Sequence, residues 1–353
     1  MIQRTSENVS IGHPDKVSDL ISDKILDELL KYDPGSRVAV ETLISKDFLV
    51  VAGEVTSNAN VDYKKVALET IREIGYKDSQ DFNPEKAVVH INIHEQSREI
   101  ASGAEEGAGD QGIMYGYATN ETDEYLPLPF VLAKKITNEL TKLREEKGIG
   151  LKPDSKSQVT IEEGMAKEIV VAQQHEEGKD ITKTVEDAIV KVCEPYMDKT
   201  TLHINSAGPF TVGGPAADTG LTGRKIMVDT YGTLARHGGG AFSGKDPSKV
   251  DRSAAYMARY IAKNIVYKGY ADECEVHFAF SIGETKPLAF EIETYGTEKK
   301  PVEEIKKEVQ EKLDLSPQGI IKKLDLKKPI YFEANKKGYF LSDASWEKLD
   351  LFD

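Results

Sequence analysis

Cysteine is nearly absent. Cys193 and Cys274 are the only two, too few for a disulfide framework or a metal cluster. They read as reduced core filler of a cytosolic protein. Long apolar runs are missing too: Phe130-Val131-Leu132-Ala133 meets Lys134 and Lys135 at once, far short of a membrane span. The opening Met1-Ile2-Gln3-Arg4-Thr5-Ser6-Glu7-Asn8 has no signal-peptide core, so a cytoplasmic location is expected. Positive charge is scarce: 46 lysines and arginines face 60 aspartates and glutamates, a formal net charge of −14. That excludes a general nucleic-acid binder, which needs a basic footprint. An acidic chain that holds a polyphosphate must gather its cations in one place.

Against these absences, 39% hydrophobic and 30% charged residues in a chain of 353 describe an ordinary globular protein of two or three domains. The richest stretch is Gly238-Gly239-Gly240-Ala241-Phe242-Ser243-Gly244-Lys245-Asp246-Pro247-Ser248-Lys249-Val250-Asp251-Arg252. Asp246 is a candidate helix N-cap with Pro247 at the first helical position. An apolar-periodic helix follows on Val250, Ala254, Met257, Ala258, Ile261 and Ile265. A glycine loop feeding a helix start suits a phosphate. Gly239 to Lys245 has the spacing G-x-x-x-x-G-K, but Asp246 stands where a P-loop has Ser or Thr, and the bare spacing fits a surface turn equally well. Lys245 and Lys249 lie at the helix end where the dipole disfavours cations, which points to a polyanion between them.

The rest of the chain repeats one theme. A helix runs from Val17 toward Tyr32, strands cover Arg37–Leu43 and Phe48–Val55, a helix Tyr63–Ile74 and a strand Ala87–Ile93. Residues 96–112, rich in glycine and alanine, read as a lid or linker. The middle third offers a helix over Pro129–Lys147, paired strands Ser157–Glu162 and Ala166–Gln173, a helix Thr182–Val192 and a strand Thr201–Ile204. The last third adds strands Cys274–Ile282 and Pro287–Tyr295, a helix Pro301–Leu313 and a lysine-rich tail expected to form solvated faces. The expected class is α+β: three similar βα units in a pseudo-threefold arrangement, with sheets covered by helices on one face. Their bounds are 1–98, 99–211 (lid plus central unit) and 212–353.

Five stretches carry a resemblance: Gly12-His13-Pro14-Asp15-Lys16, Gly107-Ala108-Gly109-Asp110-Gln111-Gly112, Asp154-Ser155-Lys156-Ser157-Gln158-Val159, Asp218-Thr219-Gly220-Leu221-Thr222-Gly223-Arg224-Lys225 and the glycine loop. In this order, from about Thr5 to the region of Trp346, the chain resembles the S-adenosylmethionine synthases (methionine adenosyltransferases) of the bacterial type. The resemblance implies a transferase of one-carbon metabolism that uses ATP and L-methionine. The sulfur displaces the intact triphosphate from ribose C5′, and the triphosphate is then cleaved to pyrophosphate and phosphate. It further implies Mg²⁺ (two per site), K⁺, no nucleic-acid or membrane partner, and a homotetramer, a dimer of dimers with sites at the dimer interface.

Residue by residue, the resemblance implies catalytic roles for His13, Lys156, Arg224, Lys225, Lys245 and Lys249. ATP contacts fall to His13, Asp154, Lys156, Phe210, Asp218, Arg224, Lys225, Ala241 and Lys245. Methionine contacts fall to Glu54, Gln96, Asp110, Asp218 and Lys249. Asp15 and Asp251 are the implied magnesium carboxylates and Glu41 the implied potassium ligand. Phe210 would stack on adenine, although an apolar Phe is as readily a core residue. One departure stands out: Pro209 replaces the arginine usual before that phenylalanine, and Ser206 and Ala207 also differ from the family pattern. The chemistry is consistent with the residues. A thioether needs no general base, so catalysis rests on alignment and on cations facing the departing triphosphate. Two rival readings are a non-catalytic subunit that keeps the fold and a generic P-loop phosphotransferase.

Overall fold

The structure is a computed structural model, and it describes residues 2–77, 80–95, 107–147 and 149–353. Helix α1 (Pro14–Tyr32) begins where the periodicity predicts a helix, with Pro14 in its first turn and His13 as N-cap, its Nδ1 accepting the Asp15 N–H at 3.2 Å. The hairpin of β2 (Arg37–Ser45) and β3 (Phe48–Thr56) turns at Asp47, which takes φ +50°. The alternation in β2 places Val38, Val40, Thr42 and Ile44 against α1, with α2 (Tyr63–Ile74) beside it. Ala39, Glu41 and Leu43 therefore point to the other face. The parallel strand β4 (Val88–His94) completes this sheet on the far side of β3.

The chain is mixed α+β, as expected, but its sheets do not respect the thirds of the sequence. Strand β1 (Arg4–Val9), from the N-terminal stretch, pairs with β6 (Leu151–Glu162), which continues to β7 (Met165–His175) and β8 (Met197–Ile204). Strand β5 (Gly112–Thr119) pairs with β10 (Glu273–Phe280) and thereby with β11 (Ala289–Glu293). The short β9 (Gly220–Leu221) pairs with β2. Neither β1 nor β5 has an apolar alternation strong enough to announce itself. Helices α3 (Leu128–Lys147) and α4 (Thr182–Cys193) cover the β6–β7 sheet around one core, which buries Cys193. The other core runs from α1 to the C-terminus and buries Cys274.

After the short helix α5 (Ile226–Asp229), the helix that follows the glycine loop is α6 (Val250–Tyr267). It starts three residues later than Asp246 and Pro247 imply, with Lys249 at its N-cap. Asp246 caps a turn instead: its carboxylate accepts the N–H of Ser248 at 2.9 Å and of Val38 at 2.7 Å. That second bond fixes the loop to β2 and wins over the helix start. Beyond α7 (Val302–Lys312) and α8 (Pro317–Lys323), the lysine-rich tail is more than a solvated face. Helix α9 (Tyr331–Lys337) and the turn after it bury Tyr331, Phe332, Tyr339, Phe340 and Trp346.

One feature of α1 organises the site. Asp15, Asp19, Asp23 and Asp27 recur every four residues, so they share one face, and all four are buried. Like charges at this spacing destabilise an isolated helix. Here they are offset by donors from the last third of the chain: the N–H groups of Leu221 (3.0 Å), Gly223 (2.8 Å), Gly244 (2.9 Å), Tyr331 (3.1 Å) and Phe332 (2.8 Å).

Asp27 carries a testable consequence. Burial pushes its carboxyl up to about 7, against the pull of the Phe332 and Tyr331 N–H groups. An unfolded chain releases that proton near the ordinary 3.8. Between these values the native state binds more protons, so stability falls as pH rises. The contribution is full below the unfolded value and lost as pH climbs through about 7. Asp27→Asn should flatten this fall when guanidinium midpoints are compared at about pH 5 and about pH 8. An unaltered pH slope in the variant would mean that Asp27 does not titrate there.

Candidate active site

The free edge of β2 receives both cation-bearing loops, end to end. At one end Val40 N–H donates to Gly244 at 3.0 Å, Asp246 N–H donates to Val38 at 2.9 Å, and Ala39 is bridged to Lys245. At the other, Thr42 and Thr222 exchange bonds of 2.9 and 3.0 Å, and Leu43 stands opposite Leu221. Ala39 and Leu43 are four residues apart, about 13 Å at the rise of a strand. The loops are therefore neighbours along one rail. Opposed residues on paired strands share a face, so Lys245, Ala39 and its β3 partner Glu54 form one row on the open face, which continues to His94 on β4. Glu54 Oε1 lies 3.2 Å from His94 Nε2. Glu41, exposed, lies in the next row of that face.

The loop lysines have carboxylate partners of their own. Lys245 Nζ is 2.6 Å from Asp251, and Lys249 is bonded to the buried Asp246. Only Lys249 stands at the helix N-terminus, and each lysine is offset by its own carboxylate, so their position does not by itself require a polyanion. Gly244 (φ +77°) has no room for a side chain: a Cβ would come within 1.9 Å of the Val40 carbonyl oxygen. At the other motif, a Cβ on Gly12 would sit 2.3 Å from the Pro153 carbonyl oxygen, so only glycine lets His13 approach β6.

A second group of charges surrounds that histidine. Lys225 is bonded to Asp15, and Arg224 Nε lies 3.5 Å from the same carboxylate. Burial and the positive charges of Lys225, Lys156 and Arg224 push His13 down to about 3, leaving its ring neutral. Burial opposes the charge on Asp15, but Lys225 and the Leu221 N–H hold its carboxyl below the usual range. Asp154 is pushed by burial up to about 6, against the Gly214 N–H at 2.8 Å and the charge of Lys156. Its Oδ1 is buried with no hydrogen-bond partner. Asp218 is exposed, and its charge also raises Asp154. Phe210 is half-buried, and its backbone exchanges bonds with His175 at 2.9 and 3.2 Å.

The two groups meet at Ala241, whose Cβ would stand 2.9 Å from a side chain on Gly223. Of the stretch read as a lid or linker, residues 96–106 lie outside the described residues; just after them Gly109 N–H donates to Ser248 O at 3.4 Å, which sets the exposed Asp110 beside the tail of the glycine loop. Gln96 lies outside the described residues. Absent from the motif-derived site residues are Lys16, buried with Nζ 2.7 Å from Asp229 and 3.2 Å from Asp19, and Asp19 and Asp23 themselves. The four-residue recurrence of aspartate was the signal available for them.

No group of three or more histidine, cysteine or acidic side chains suited to a metal occurs among the described residues. Asp15 and Asp251 each hold a lysine ammonium instead. Magnesium is commonly bound through one or two carboxylates plus substrate phosphates. These residues therefore fit a magnesium ion that arrives with its phosphate. Glu41 by itself offers one exposed carboxylate, too little to define a potassium site.

Among the described residues no strand leads into loop 238–244 and no Ser or Thr follows Lys245, so the P-loop arrangement is not formed. Three mixed-chain sheets and two lysine- and arginine-bearing loops on one strand edge define an α+β protein with a site suited to a polyanion. Family models identify it further: the S-adenosylmethionine synthetase N-terminal domain matches residues 2–98, the central domain 105–210 and the C-terminal domain 212–348. The S-adenosylmethionine synthase of Brachyspira hyodysenteriae is 47% identical over 379 residues, covering 99% of this chain and 96% of that protein. That of Mesoplasma florum is 47% identical over 366 residues (98% and 97%), and that of Corynebacterium kroppenstedtii 45% over 394 (100% and 98%). The chain belongs to the S-adenosylmethionine synthetase family, the methionine adenosyltransferases.

Proposed function

We propose that this chain makes S-adenosylmethionine from ATP and L-methionine by displacement at ribose C5′, and then hydrolyses the released triphosphate to pyrophosphate and phosphate. The observation that carries it is the seating of loops 220–225 and 244–249 on one edge of β2, beside the row that holds Glu54. Lys245, Lys156, Arg224 and Lys225 face the triphosphate and oppose its growing negative charge. His13, neutral in the free chain, donates a hydrogen bond to the bridging region of the polyphosphate. Asp154 and Asp218 orient the nucleoside, Ala241 lines its approach, and Phe210 offers a ring face to adenine with Pro209 in place of a cation. Glu54, Gln96 and Asp110 hold the methionine ammonium end, and Lys249 its carboxylate. The sulfur then needs only alignment. Asp15 and Asp251 would hold magnesium, which neutralises phosphate charge when bound; Glu41 alone does not define a potassium site, and no step is drawn from that ion.

The same proposal includes a pseudo-threefold organisation whose sheets exchange strands between the stretches 1–98, 99–211 and 212–353, a cytoplasmic setting, and a homotetramer with sites between paired subunits. The exposed Phe48 and Val88, paired across β3 and β4 on the open face of the sheet, support a face covered by another subunit. No described helix is long and apolar enough to cross a membrane. Incubation with ATP, methionine, Mg²⁺ and K⁺ should yield S-adenosylmethionine together with pyrophosphate and phosphate. A folded protein that forms none of it rules the proposal out, and phosphate release without methionine would favour a phosphohydrolase.

A further inference from the structure

Asp23 touches no group assigned to a substrate, yet four donors converge on it deep in the molecule. Gly244 N–H reaches Oδ1 at 2.9 Å and Arg252 Nη2 at 2.6 Å; Tyr339 Oη reaches Oδ2 at 2.6 Å and Asn335 Nδ2 at 2.9 Å. The same partners grip the residues on either side of Gly244. Tyr339 Oη shares a hydrogen with Ser243 Oγ at 2.9 Å, and Arg252 Nη1 donates to the Lys245 carbonyl at 2.8 Å. Phe242, one residue earlier, packs edge-on against Tyr256 and Tyr339. Three consecutive loop residues, 243 to 245, are thus fastened by side chain, N–H and carbonyl to one buried cluster. Asn335 and Tyr339 come from α9 and the turn after it, whose first N–H groups are themselves held by Asp27.

We propose that Asp23, Tyr339 and Asn335 form a clamp that sets the position of Lys245, which makes them positioning residues for the proposed adenosyl transfer. The inference rests on that reading for what Lys245 does. Lys249 is placed separately, because its partner Asp246 is tied to Val38 and Ser248. The clamp therefore governs the cation beside the leaving group and spares the one assigned to methionine. A charge that must meet developing charge loses much of its effect when displaced by about 1 Å. Backbone anchoring by a buried, fully bonded carboxylate limits that displacement.

Tyr339→Phe removes one hydroxyl and keeps the ring in place. Turnover per folded molecule should fall about ten- to a hundredfold with KM for methionine unchanged. In a Lys245→Met background the same change should cost less than about twofold more, since both act through one group. Amide exchange of segment 241–246 should quicken while that of α3 stays the same. Asp23→Asn should show the same pattern more strongly. If Tyr339→Phe does not fold, Ser243→Ala tests the other end of the same bond. Unchanged turnover, a loss that multiplies in the Lys245→Met background, or unaltered exchange at 241–246 would each overturn the clamp. A wild-type chain that makes no S-adenosylmethionine overturns the function instead, and the exchange measurement still judges the clamp.

Discussion

Lys245→Met is expected to slow S-adenosylmethionine formation by about 10²- to 10³-fold, the usual cost of removing one preorganised donor from a site of developing charge. Lys245 stands opposite Ala39 on the edge of β2, in the row that continues to Glu54. In the free chain its ammonium rests on Asp251 at 2.6 Å. An incoming polyphosphate competes for that ammonium, and magnesium held by Asp251 would relieve the carboxylate left behind. The departing triphosphate gains charge only as the C5′–oxygen bond breaks, so the lysine contributes more to the transition state than to the bound substrate. The loss should therefore fall on kcat, with KM for methionine nearly unchanged. Steady-state rates with methionine varied at saturating ATP decide it. A variant with unaltered kcat would remove Lys245 from the reaction, and a rise in methionine KM alone would move it to the methionine side.

The largest effect on stability is expected at Arg259, remote from the site. This side chain is fully buried, and every one of its donors is used. Nε and Nη2 bond Glu347 at 2.9 Å each, Nη1 bonds the carbonyls of Tyr117 and Tyr125 at 2.8 Å, and Nη2 also bonds the Glu124 carbonyl at 2.8 Å. Arg259→Met keeps most of the volume but takes two bonds from a buried carboxylate and a side-chain donor from each of three carbonyls, of which Tyr125 keeps the Thr119 N–H at 3.3 Å. Among the described residues the Glu347 carboxylate then keeps Lys263, at 2.8 Å. Removing one partner of a buried ion pair costs about 3–5 kcal/mol. The midpoint of guanidinium unfolding should fall accordingly at an unchanged slope. A loss below about 1 kcal/mol would mean that water reaches these groups after the substitution.

Arg259 and Asp23 also mark the limits of reading residues along the chain. The helix at 63–74 and the hairpin at 37–56 follow from periodicity, because each buries one face against near neighbours. The aspartates of α1 gave no sign of their burial, for a physical reason. A polar stripe on a helix ordinarily faces water, and these face inward only because backbone donors about 200 residues away are aimed at them. Strand β1 was missed because its buried positions include the polar Ser6 and Asn8, with Asn8 bonded to Thr137 of α3. The tail was misjudged by its lysines, although its aromatic residues fill the core beside α6.

What the sequence by itself determined is local: where helices can start, where only glycine can stand, and which motifs carry cations in an acidic chain. Tertiary structure decided which strand edge those loops share, which buried carboxylates hold them, and where each lysine rests before a ligand arrives. Helix periodicity and turn chemistry act over a few residues, whereas the edge of β2 selects partners some 180 to 210 residues distant. Such a choice is made by the packing of the whole chain, and no local pattern announces it.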